Sequence, residues 1–78
     1  MQVMVYPNPT HGKVTIKSPE SLVSAAITDM AGRRKELPLN ATDNGGYGID
    51  LTAFPQAAYF LTLTTITGQR HTLKLVKQ

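Results

Sequence analysis

Apolar residues recur at every second position along this chain, and that alternation leaves little choice of fold. Val14 and Ile16 alternate with Lys13, Thr15 and Lys17. Val23, Ala25 and Ile27 keep the same period, as do Tyr47, Ile49 and Leu51, and Tyr59, Leu61 and Leu63. Successive side chains of a strand point to opposite faces, so period two marks half-buried strands rather than helices. Val3 and Val5 open a first strand. In a last one, His71, Leu73 and Leu75 lie opposite Thr72, Lys74 and Val76. Leu37 and Leu39 flank Pro38, which has no backbone donor, so that strand is short or at an edge. The one stretch with a helix-like start, Pro19–Ala26, runs into β-branched residues. About seven short strands at spacings of about ten residues predict an all-β fold, an Ig-like antiparallel β-sandwich.

The breaks between strands carry their own signals. Pro7 ends the first strand and Pro9 restricts Asn8 to extended backbone. Thr10-His11-Gly12 turns the chain. Met30-Ala31-Gly32-Arg33 reads as a hairpin turn in which Gly32 supplies a positive φ, and Thr67-Gly68-Gln69 as a tight turn. Asn40 through Gly46 is expected to be a loop, with its strongest turn signal at Asp43-Asn44-Gly45-Gly46. Thr52 to Gln56 crosses between strands, and Phe54 is expected to plug the open end of the sandwich. Tyr59 begins the next strand, where its hydroxyl can bond back across the preceding corner.

Size and charge narrow the function. Seventy-eight residues make one domain at most. A chain this small buries roughly 60–65% of its unfolded surface on folding, and without cysteine it has no disulfide to support it. The net charge of +3 suggests nucleic acid, but the dense basic run is only Arg33-Arg34-Lys35, followed at once by Glu36. No stacking motif accompanies it, so a solvated hairpin face is the simpler reading. No stretch approaches the ~20 apolar residues of a membrane span, so membrane insertion is not expected.

Candidate chemistry is sparse. His11 and His71 have no ligand partners at metal spacing, and a structural zinc site wants four nitrogen or sulfur ligands. Calcium near Asp43–Asp50 lacks the EF-hand order of ligands, and turn chemistry accounts for the Asp and Asn. Ser18, Ser21 and Ser24 lie in no Gly-x-Ser-x-Gly elbow. The chain reads as non-enzymatic and without a cofactor. Its last strand stands out instead. Arg70, Lys74 and Lys77 place positive charge along it, while Leu73, Leu75 and Val76 hold it in the sheet. Lysine on an edge strand blocks strand addition. Alternatively, a receptor captures the strand and its terminal carboxylate.

Four segments, in order, carry a resemblance. The first is Tyr6-Pro7-Asn8-Pro9-Thr10-His11-Gly12-Lys13-Val14-Thr15-Ile16. The second is the hairpin Ile27-Thr28-Asp29-Met30-Ala31-Gly32-Arg33. Ile49-Asp50-Leu51-Thr52 leads through Pro55 to Ala58-Tyr59-Phe60-Leu61, and Gly68-Gln69-Arg70 leads to Lys74-Leu75-Val76-Lys77. Together they resemble the C-terminal sorting domain of Bacteroidetes proteins exported by the type IX (Por) secretion system. The family usually has glycine where this chain has Ala57, so the turn there is expected to differ.

The resemblance implies a sorting signal on a larger secreted protein, with the covalent cargo upstream of residues 1–78. An outer-membrane translocon would read the domain after periplasmic transit. A sortase-like protease would remove it, cutting upstream of the Pro7-Asn8-Pro9 segment, as cargo reaches the cell surface or the medium. Lys74, Leu75, Val76 and Lys77 are the expected recognition residues. Tyr6, Pro7, Asn8, Pro9, Gly12, Asp29, Gly32, Tyr59 and Gly68 are the expected structural motif. A monomer, or a weak dimer through edge strands, is anticipated. Two other classes stay open. One is a carbohydrate- or surface-binding module, for which Tyr47 is the plausible exposed aromatic. The other is an Ig-type spacer.

Overall fold

The computed structural model describes residues 3–42 and 45–78. Its strands are β1 (Met4–Tyr6), β2 (Lys13–Lys17), β3 (Leu22–Thr28), β4 (Arg34–Leu37), β5 (Asn40–Ala41), β6 (Tyr47–Asp50), β7 (Ala57–Thr65) and β8 (Arg70–Lys77). No helix forms among the described residues. The strands make two sheets, ordered β1-β2-β6-β5 and β4-β3-β7-β8, and every pairing within them is antiparallel. In immunoglobulin lettering this is an ABED sheet facing a CFG sheet extended by one strand.

Alternation sets the core. Val14, Ile16 and Ile49, with Leu51 just past β6, face Ala25, Ile27, Leu61, Leu63 and Leu75 of the other sheet. Each fully buried aliphatic side chain contributes about 1.5–3 kcal/mol. Phe54 is half-buried over one end, and its ring meets the edge of Tyr59 at 5.9 Å and 86°. Tyr59 Oη donates to the Pro55 carbonyl at 2.6 Å, which ties the crossing loop to the strand that follows it.

The structure departs from the sequence reading in several places. β3 pairs Leu22 with Thr65 but Ser24 with Thr64, so Val23 is an extra residue in the ladder. The bulge turns Val23 outward, 58% exposed, and Leu22 inward, 7% exposed. The basic hairpin strand is β4, which begins at Arg34 and stops before Pro38 at the sheet edge. β5 lies inside the expected loop, pairing Asn40 with Gly48 and Ala41 with Tyr47, which brings the strands among the described residues to eight where about seven are expected. Asp43 and Asn44 lie outside the described residues. Ala57 begins β7, and among the described residues only glycines have a positive φ, so extended backbone accommodates its Cβ.

Candidate functional site

The two outermost segments of the chain meet at the free edge of β8. β1 pairs only with β2 in its own sheet; after it, the chain crosses over to the opposite sheet through the peptides Tyr6-Pro7 and Asn8-Pro9, both cis. There Asn8 Nδ2 donates to the Lys74 carbonyl at 3.0 Å, and Asn8 Oδ1 accepts from the Val76 N–H at 3.1 Å. A side-chain carboxamide carries the same donor and acceptor as a peptide group, so Asn8 occupies the edge as a strand residue would. Thr10 continues the contact with its backbone. Its N–H donates to the Val76 carbonyl and its carbonyl accepts from the Gln78 N–H, both at 2.8 Å, in a parallel bridge to Lys77.

Thr10 is fully buried, and sequence reasoning gave it only a place in a turn. Its hydroxyl donates to the Lys13 carbonyl and accepts from the Gly12 N–H, each at 3.0 Å, so all its polar groups are satisfied. The available signal was a threonine two residues before a glycine, where hydroxyls close local turns. Gly12 is required by close approach. A Cβ there would sit 2.4 Å from the methyl of Thr52. Thr52 is itself held by Asp50, whose Oδ1 accepts from the Thr52 N–H at 2.9 Å and from its hydroxyl at 2.7 Å. These bonds hold the Asp50 carboxyl below its ordinary value of 3.8.

The structure separates the expected recognition residues. Lys74 is exposed and shares the outer face with Phe60, its partner on β7, while Val76 and Lys77 are half-buried. Leu75 is fully buried and packs opposite Tyr59, which holds the strand in the sheet. Tyr6 is exposed, Pro7 and Pro9 frame Asn8, and Gly68 sits in the β7–β8 turn.

Asp29 organises the other hairpin. Its Oδ1 accepts from the backbone N–H groups of Arg33 at 2.9 Å and Ala31 at 3.0 Å, while its Oδ2 accepts from Arg33 Nε at 2.9 Å. The Arg33 backbone bond, with help from the guanidinium, keeps its carboxyl below the ordinary 3.8, against a smaller opposing effect of desolvation. Gly32, at φ 86°, supplies the left-handed step of the turn. An open cavity of about 560 Å³ lies beneath this hairpin, between Met30, Lys35 and Phe54. Lys35 Nζ sits 5.5 Å from the centre of the Phe54 ring.

The remaining candidates come apart. Tyr47 is half-buried against the core and its hydroxyl accepts from the Leu22 N–H at 3.1 Å, so it offers no platform for a sugar. Among the described residues, no three of His, Asp and Glu gather as a metal site. The calcium reading rested partly on Asp43, which lies outside the described residues.

Residues 4–78 match a family model described as the secretion system C-terminal sorting domain. No curated protein and no solved structure gives a significant match. The match spans the latch that Asn8 and Thr10 form on β8, the Asp29 hairpin, the Tyr59 corner and the terminal strand together, and the chain belongs to the family of C-terminal sorting domains of type IX secretion.

Proposed function

We propose that the outer-membrane type IX translocon reads this domain through its latched terminal strand, with Lys74, Val76 and Lys77 as the contact residues and Leu75 holding them in register. The observation that carries this is the Asn8–Thr10 latch. Two motifs of a sorting family, 66 to 68 residues apart, converge on the strand in question and fix its edge. Residues 1–78 act as one sorting domain on an upstream cargo that is covalently attached. The cargo passes through the periplasm and is exported across the outer membrane. A surface sortase-like protease then cuts upstream of Pro7. The domain is a substrate in that step and supplies no catalytic group.

Deleting Lys74–Gln78 would remove the buried Leu75 and every partner of the latch, so it would test folding as much as recognition. Lys74→Glu with Lys77→Glu is the cleaner test. A fluorescent reporter bearing an inner-membrane signal peptide and this domain is expected at the surface or in the medium of a type IX-competent bacterium. The double variant is expected to stay in the periplasm with its melting temperature within a few degrees of the parent, as for surface substitutions. Export of the folded double variant at the parent's level would overturn the assignment.

A further inference from the structure

We propose that the uncovered part of the β8 edge, Arg70 to Lys74, docks an extended acidic segment of a partner protein by strand addition. Antiparallel strands alternate between residues that bond across the pair and residues that bond away from it. The turn fixes the phase here, because the Thr65 N–H donates to the Gln69 carbonyl. Odd-numbered β8 residues therefore face β7, and Arg70, Thr72, Lys74 and Val76 present their backbone groups to the open side. The latch takes these groups only from the Lys74 carbonyl onward. Both backbone groups of Arg70 and Thr72, and the Lys74 N–H, remain as a row, and no described strand pairs with them. Such a row is a template for another chain. Asn8 ends it, so the added strand is short and its register is defined.

Charge selects the occupant. The side chains of Arg70, Thr72 and Lys74 stand in line on the outer face, all exposed. Residues of an added strand come within about 4.5–5.5 Å of them, where opposite charges stabilise and like charges oppose. A second copy of the domain paired about Thr72 would set Arg70 opposite Lys74 of that copy, which disfavours self-association. Carboxylates at alternate positions satisfy both cations. The inference deepens the sorting reading, and rests on it only for the source of the strand.

The test is titration of the 15N-labelled domain with an extended peptide of alternating threonine and glutamate, and with its lysine counterpart. The acidic peptide is expected to slow hydrogen exchange of the Thr72 and Lys74 amides, and to bind at least about tenfold more tightly than the basic one. Thr72→Pro removes an outward N–H and leaves the β7 ladder intact. It is expected to keep the fold and lose binding. Arg70→Glu with Lys74→Glu is expected to reverse the preference, and it decides the matter if the proline variant fails to fold. Four outcomes would overturn the proposal: undiminished binding by folded Thr72→Pro, equal binding of the two peptides, shifts centred on Arg33–Lys35, or self-association through the same amides. A domain that binds the peptide but exports no reporter would sink the sorting reading alone. An exported domain with no peptide binding would sink this one alone.

Discussion

Asn8 fills two positions on the edge of a strand with a single side chain, and its loss should be measurable. Replacing it with alanine removes both bonds to β8 at an exposed site, where a typical hydrogen bond contributes about 0.5–1.5 kcal/mol net. In a domain of this size a change of 1 kcal/mol moves the melting temperature by roughly 4–8 °C, so Asn8→Ala should melt several degrees lower in a thermal scan. Asp29 sets a pH dependence. Its carboxyl titrates lower in the folded chain than in the unfolded one, so the folded form holds fewer protons and the contribution is full above the ordinary value of 3.8. That contribution is lost as pH falls through the lowered value. Asp50 acts in the same direction through Thr52. The melting temperature should therefore hold steady above about pH 5 and fall below it, and Asp29→Asn should flatten part of that fall.

At the scale of the strand, the alternation was legible wherever the ladder is regular. β2, β6, β7 and β8 follow period two because each has one face on the core. The pattern misled at Val23, since a bulge breaks the period without leaving a glycine or proline to mark it. Leu22→Ala should cost about 2–4 kcal/mol and Val23→Thr less than about 0.5 kcal/mol, the reverse of what strict alternation assigns. Chemical denaturation of the two variants checks this. β5 was invisible because two residues carry no period. The latch was invisible to local reading for a different reason. Nothing around Asn8 reports that its amide spans to Lys74, and only the resemblance put the two segments in one frame.

Across the whole molecule, the sandwich is fastened on one side by a contact between residues far apart in sequence. The β7–β8 hairpin closes over the few residues between Thr65 and Gln69, whereas the bond from Asn8 to Lys74 closes a separation of 66 residues. Loop-closure entropy grows as (3/2)RT ln n, which makes the second step harder than the first by about 2.5 kcal/mol for flexible chains of those lengths. The latch should therefore form after the rate-limiting step of folding. Asn8→Ala would then leave the folding rate unchanged and speed unfolding about fivefold per kcal/mol lost, which stopped-flow measurements can separate. The same order runs backwards in the native state. The Val76 and Gln78 amides, bonded to Asn8 and Thr10, should exchange with solvent well before those that bond Leu61 to Leu73. The terminal strand would then come free of its clasp many times for each time the domain unfolds.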